Sequence, residues 1–390
     1  MHDPFILFRN DLTGENLFFT DAQAIVTAWS AHDIEPVFAT LQEARAQGRW
    51  VAGYISYEAG IALEPALCNR IRPRPQADRR CPLMCFGIFE APQPQDASAM
   101  LLEGTAAGAG LSDARPRWNF ATYRERFDRL RDHLHAGDCF QANLTFEYTG
   151  RCEDDPVALF NALRTRQAVG HSALVRLEGP DIVSRSPELF FRVGRDGWIE
   201  SKPMKGTAPR GRTPAEDAAR KRQLENDPKC RSENLMIVDL LRNDLSRICA
   251  PGTVHVPQLY HVESFATVHQ MISRVRGALD RDKTLADIIK AIFPCGSITG
   301  APKIRAMEII HDLEDTDRNV YCGSIGWMAP GGAMEFNVAI RTISLYPDGQ
   351  AVFNVGGGII FDSEAREEYE ESLLKARYAL DIAGQSRAAE

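Results

Sequence analysis

Apolar residues recur along this chain in two rhythms, and the rhythm changes at points marked by Gly, Pro and Asp. Spacings of three and four over residues 34–46 and 120–135 predict helices. Continuous or alternating apolar runs at 51–57 and 139–148 predict strands. Runs at 190–193 and 198–201 flank the turn sequence Gly194-Arg-Asp-Gly197. Runs at 320–328 and 333–345 flank Pro330-Gly-Gly, and a further run at 350–361 follows Pro347-Asp-Gly. Connections this short join antiparallel neighbours and exclude a Rossmann-type parallel sheet.

Three more helices follow from their start signals. Asp227 before Pro228 is a cap residue followed by proline at the first helical position. The helix it opens has Leu235, Val238, Leu241, Leu245 and Ile248 on one face and stops before Pro251-Gly252. A second is expected over about 301–312, with Pro302 in its first turn. A third follows Asp362-Ser363 and reaches about residue 382. Residues 92–116 are rich in Pro, Ala, Gly and Ser and read as a linker or long surface loop. The chain therefore divides into residues 1–116 and 117–390, expected to fold as one intimate unit. No internal repeat is visible.

Composition narrows the class. Of 390 residues, 44% are hydrophobic and 25% charged, as in a soluble globular protein. A net charge of −8, with no basic stripe, argues against a nucleic-acid partner. No run of 18 apolar residues predicts a membrane span, and residues 1–10 carry no secretory signal pattern. Nine scattered cysteines form no framework and read as reduced thiols, so a cytoplasmic location is expected.

The chemistry concentrates in the second half. SKPMKGTAPRG (201–211) holds Lys205 between glycine and proline, beside an expected strand. By residue type the segment is a solvated loop or the seat of a nucleophilic amine. Glu364, Glu367, Glu368, Glu370 and Glu371 crowd two turns of the last helix. Acids favour a helix N-terminus, yet like charges three and four apart repel. Glu368, Glu371 and Lys375 share a face, and Glu233 offers another carboxylate. Such a set suits a hard divalent cation such as Mg²⁺. Gly356-Gly-Gly358 and GSITGAP (296–302) both precede helices. Each reads as a plain turn or as a place where backbone amides, and in the second case two hydroxyls at a helix start, meet a carboxylate.

Taken together these stretches resemble the chorismate-utilising enzyme family, which includes the large subunits of anthranilate synthase and aminodeoxychorismate synthase and the isochorismate and salicylate synthases. The matching segments are SPE (186–188), PMKGT (203–207), ENLMIVDLLRND (233–244), VHQMISR (268–274), GSITGAPK (296–303), IRT (340–342), GGGI (356–359) and EYEE (368–371), in the family's order. The first third matches loosely, chiefly at GYISYEAG (53–60). The resemblance implies an α+β fold like that of the anthranilate synthase large subunit, with antiparallel β-sheets in a two-layer core and helices outside.

Within the family, anthranilate and isochorismate synthases usually have alanine where this chain has Lys205. A lysine resembles the aminodeoxychorismate synthase branch, which starts p-aminobenzoate and folate synthesis. Water-using members carry a lysine base where this chain has Gln141, so the resemblance points to ammonia as the nucleophile. It implies Lys205 as nucleophile, Glu188 as general acid and Mg²⁺ on Glu233, Glu371 and Glu368. It also implies carboxylate binding by Arg341, Tyr321, Lys375, Thr299, Gly357 and Gly358, with His269 near the ring. Met204 and Lys202 stand where isoleucine and arginine are common, changes that keep size or charge. No glutaminase signature is visible, so ammonia is expected from solution or from a partner glutamine amidotransferase. Rival readings are an anthranilate synthase large subunit, a non-catalytic chorismate-binding regulatory subunit, and a pyridoxal-phosphate enzyme using Lys205 or Lys303.

Overall fold

The computed structural model describes residues 3–68, 79–93, 109–265 and 268–380. Two antiparallel sheets lie face to face, one of nine strands and one of ten. In the first, the path runs Gly300–Ala301, Gln141–Arg151, Gln350–Ile360, Thr342–Leu345, Asp181–Ser186, His171–Arg176, Phe5–Arg9 and Asn16–Phe19. Ser112–Pro116 adds to its Gln141–Arg151 strand. In the second, it runs Met204–Pro209, Val268–Ala278, Trp198–Ser201, Leu189–Val193, Met334–Asn337, Ser324–Met328, Trp50–Ile55, Met84–Phe89 and Ala24–Ala28. His255–Ser264 pairs with Val268–Ala278.

Inward residues of both sheets, among them Ile6, Phe19, Tyr54, Phe89, Val175, Ile182 and Ile325, fill the layer between them. Helices cover the outer faces. Phe120–His135, Lys303–Leu313 and Ala365–Leu380 bury their apolar stripes on the first sheet. Ala31–Ala46, Pro228–Ser246 and Leu285–Ile292 do so on the second. The architecture is thus α+β, with a two-sheet core and outer helices. Strands from the first 116 residues pair with later ones in both sheets: Phe5–Arg9 with His171–Arg176, and Trp50–Ile55 with Ser324–Met328.

Two strands change sheets side by side, and this places the chemistry. The single strand expected over 333–345 is broken. Met334–Asn337 lies in the second sheet and Thr342–Leu345 in the first, with a crossing at 338–341 where Arg341 has φ +51°. Its neighbour does the same: Asp181–Ser186 pairs with Thr342–Leu345, then Leu189–Val193 with Met334–Asn337. Glu188 sits at that crossing. Apolar positions continue through the crossing, at Phe336, Val338, Ile340 and Ile343, so the sequence run does not mark the break.

Three other expectations are corrected. The tail of the linker is the strand Ser112–Pro116, while 94–108 lie outside the described residues. The helix expected from 301 begins at Lys303, since Ala301 pairs with Gln141. On Pro228–Ser246, Asn234 occupies the buried face and Leu235 is 41% exposed. At about 100° per residue, Asn234 falls about 20° from Leu241 and Leu235 about 120° away. Asn234 is stabilised there by the Ser273 hydroxyl, which donates to its Oδ1.

Candidate active site

Lys205 belongs to a strand, not to a solvated loop. Met204–Pro209 pairs with Val268–Ala278, and the register slips between Met204 and Thr207, leaving Lys205 and Gly206 in a bulge. Bulges re-aim side chains. Gly206 has φ +85°, and a Cβ there would come within 2.8 Å of Cys230 Sγ. Only glycine serves at that point. The Lys205 side chain is 16% exposed, and its Nζ lies 3.7 Å from Glu233 Oε2.

The three glycines at the end of Gln350–Ile360 run between two groups of side chains. A Cβ on Gly358 would sit 2.6 Å from Gln141 Nε2 and 3.2 Å from Lys205 Nζ. A Cβ on Gly357 would sit 3.1 Å from Glu368 Oε2 and 3.6 Å from Lys375 Nζ. Their bare backbone is therefore what keeps the space between these groups open. Gln141 is buried, and neither of its amide atoms has a partner. A buried unpaired amide is costly, so its presence beside Lys205 fits a site that a polar ligand completes.

Glu188 is 5% exposed. Burial pushes its carboxyl up to about 7, although the Ser297 hydroxyl bond and the nearby Lys205 charge pull the other way. Ser297 Oγ donates to Glu188 Oε1 at 2.8 Å. A carboxyl poised near neutrality can hold and release a proton.

The acidic face of Ala365–Leu380 faces the same region. Burial, and then Glu371, raise the Glu368 carboxyl, while Ser363 Oγ donates to its Oε1 at 2.8 Å. Burial also acts on Glu371, but Lys375 at 2.7 Å, then Lys205 and Lys229, outweigh it and hold the carboxyl below its ordinary value. Lys375 donates in turn to the Gly356 carbonyl at 2.8 Å. Among the described residues no three acidic, His or Cys side chains already form a metal-holding group. The donor set still fits a divalent cation. Glu233, Glu368 and Glu371 offer hard oxygen ligands, and the Glu368 carboxyl, raised first by burial and then by Glu371, would be returned to its charged form by a cation.

Other expected site residues are engaged elsewhere. Thr299 is fully buried, and its hydroxyl donates to the Cys295 carbonyl at 3.1 Å. Neither hydroxyl of 296–302 lies at a helix start: residues 296–298 form a 3₁₀ turn that aims Ser297 at Glu188. Lys303 pairs with Asp244. Tyr321 is buried beside Cys322, and burial raises its phenol well above the usual value. Arg341 Nη1 donates to Gln167 Oε1 at 2.6 Å. His269 is 1% exposed and lies between Ser264 Oγ at 2.8 Å and Asp217 Oδ1 at 3.0 Å. Glu188, Lys205, Gln141, Gly358 and the Glu233–Glu368–Glu371–Lys375 face thus form one linked constellation. Thr299, Tyr321, Arg341 and His269 make their bonds to other partners. The Ser297–Glu188 bond was missed in the sequence, where 109 residues separate the two.

The family described as chorismate binding enzyme matches residues 5–381. The aminodeoxychorismate synthase component 1 of Klebsiella aerogenes is 38% identical over 348 residues, covering 84% of this chain and 76% of that protein. Its counterpart in Salmonella typhimurium is 42% identical, covering 66% of this chain and 56% of that protein. The aminodeoxychorismate synthase of Streptomyces pristinaespiralis is 44% identical, covering 71% of this chain and 38% of that protein. The chain therefore spans about three quarters of the first relative's length and a smaller part of the other two. The crystal structure of anthranilate synthase component I from Streptococcus pneumoniae superposes with a TM-score of 0.76 at 24% identity, covering 98% of this chain and 91% of that one. That likeness bears on the fold.

Proposed function

Because the chain belongs to the chorismate-binding enzyme family, we propose that it aminates chorismate to 4-amino-4-deoxychorismate, as the names of its aminodeoxychorismate synthase relatives suggest. The observation that carries this reading is the meeting of Lys205 Nζ with Gly358 and the unpartnered Gln141 amide, beside the nearly neutral Glu188 carboxyl.

The steps follow from these groups. Chorismate lies over the glycine run, which leaves room for its ring. Its carboxylates are met by the Lys375 ammonium and the backbone amides of Gly357 and Gly358, with Arg341 available once it leaves Gln167. Mg²⁺ held by Glu233, Glu368 and Glu371, when bound, would neutralise the ring carboxylate and draw electron density from the ring. The neutral amine of Lys205 adds at C2, and both ring double bonds move one position, the second one ending at C4. The C4–O bond breaks, and the departing oxygen takes the Glu188 proton and leaves as water. Hydroxide is a poor leaving group, so this acid is necessary. Ammonia then bonds at C4, both double bonds return to their places and Lys205 departs from C2. Gln141 cannot serve as a base towards water, which favours ammonia over hydration.

A glutamine amidotransferase subunit would supply the ammonia, as the name component 1 in the relatives suggests. Among the described residues no helix is long and apolar enough to cross a membrane. A cytoplasmic location remains part of the proposal. The test is incubation with chorismate, Mg²⁺ and ammonium chloride, with products identified by mass and by lyase-coupled conversion to p-aminobenzoate. Aminodeoxychorismate as the main product supports the reading. Anthranilate as the main product overturns it.

A further inference from the structure

We propose that Ser297 is a positioning residue that decides which oxygen of Glu188 carries the proton delivered to substrate, and that the Cys295 thiol holds Ser297 in that role. The proposal rests on the reading of Glu188 as the general acid. Three side chains form a buried row. Cys295 Sγ lies 3.2 Å from Ser297 Oγ, and Ser297 Oγ lies 2.8 Å from Glu188 Oε1. Cys295 is 3% exposed, Ser297 7% and Glu188 5%, so water does not compete for these bonds.

The direction of the row follows from what each group can do. The ionised carboxylate only accepts, so the Ser297 hydroxyl donates to its Oε1. The hydroxyl's one proton is then committed, and its oxygen can only accept from the thiol. Burial, and the neighbouring Glu188 charge, push the Cys295 thiol up to about 12, so it keeps the hydrogen needed to donate. With Oε1 occupied as an acceptor, a proton on Glu188 resides on Oε2. The Met204 amide also bonds this carboxyl, and the Oε2 proton is the one that departs with the leaving oxygen as water.

The bond has a second consequence. A hydroxyl donating to a carboxylate favours the ionised form. Burial raises the Glu188 carboxyl, and the Ser297 bond, followed by the Lys205 charge and the Met204 amide, offsets part of that effect. The serine therefore orients the acid and keeps its proton mobile at neutral pH.

The test compares Ser297→Thr with Ser297→Val, an isosteric pair that differs in a hydroxyl against a methyl, with Ser297→Ala alongside. Glu188 is titrated directly by infrared difference spectroscopy of its protonated carboxyl stretch, assigned by its loss in Glu188→Gln. Steady-state turnover of chorismate is measured at a fixed concentration of free ammonia at each pH. The expected result is a Glu188 titration raised by about one pH unit in the Val and Ala variants and restored in Thr. Turnover should fall at least roughly tenfold in Val and recover in Thr. Cys295→Ala should shift the titration by less, in the same direction. Equal titrations in Thr and Val overturn the proposal even if both lose activity. If the wild type does not aminate chorismate but the titration still differs between Thr and Val, the row is upheld and the amination reading falls instead.

Discussion

In the proposed reaction Lys205 and Glu188 do opposite work within one small volume, and the surroundings of each suit that task. Lys205 is held in a bulge by a left-handed glycine. Glu188 is buried, and its carboxyl is pushed up to about 7. The second fact has a measurable effect on stability. Below about 4.5, folded and unfolded chains both hold this proton, so the group contributes nothing to pH dependence. As pH rises from 4.5 towards 7, the unfolded chain releases the proton and the folded chain retains it, so stability is lost across that window. The loss integrates to about 3 kcal/mol. Denaturant unfolding of Glu188→Gln against wild type at pH 4.5 and pH 8 should show the variant gaining about that much on the wild type at the higher pH. Identical pH dependence would mean that burial does not tune Glu188.

The metal face gives a second prediction at this scale. Glu371→Ala, or a chelator, should abolish turnover. Thermal unfolding of the variant should be nearly unchanged, because a half-exposed helix position tolerates alanine. Full activity with chelator would remove Mg²⁺ from the account. At the residue scale, Lys205, Glu188 and the glycines were legible as motifs. The Ser297 bond was not, because its geometry exists only after two distant segments have been folded together.

Among elements, Phe120–His135 was readable to its ends: Asn119 caps it and its apolar residues keep a helical period. Pro228–Ser246 was readable in extent but not in face, because a polar Asn234 replaces an apolar residue at the buried position. Leu241→Ala should therefore cost about 2–5 kcal/mol, and Leu235→Ala less than about 1 kcal/mol, by denaturant unfolding. Equal costs would show that the expected face was right. The short link after Lys303–Leu313 carries a feature that composition hides. Arg318 is 2% exposed and donates to both oxygens of Glu314 and to the carbonyls of Ile298 and Asn143. It ties the segment bearing Ser297 and Thr299 to the strand bearing Gln141. Arg318→Met leaves Glu314 buried without its cation and should destabilise the fold by about 3–5 kcal/mol. Thermal melts no lower than wild type would show that Glu314 finds another partner.

For the whole molecule, the antiparallel connections were legible from short turns, and the α+β architecture with its two-layer core was implied by the family resemblance. The exchange of two strands between sheets was legible in neither, since apolar residues continue on both sides of each crossing, Val183 and Leu189 about one and Phe336 and Ile343 about the other. That exchange joins the sheets where Glu188 lies, and the Met204–Pro209 and Gln350–Ile360 strands, from different sheets, come within reach of each other at Lys205 and Gly358. The candidate centre is built from both sheets, and both sheets hold strands from both halves of the chain. Removing residues 1–116 would take strands from each sheet, and we expect the remainder to be insoluble or inactive. A soluble, active 117–390 fragment would show that the catalytic region folds alone.

The account rests above all on Lys205 as the nucleophile. The direct measurement is peptide mass spectrometry of the protein after incubation with chorismate and Mg²⁺ without ammonia. It predicts an adduct of chorismate less one water on the peptide containing Lys205. The adduct should disappear when ammonium is added, and Lys205→Ala should lack it and lose most turnover. Wild-type turnover by Lys205→Ala with ammonium, and no adduct in the wild type, would contradict it and leave direct attack by ammonia as the mechanism.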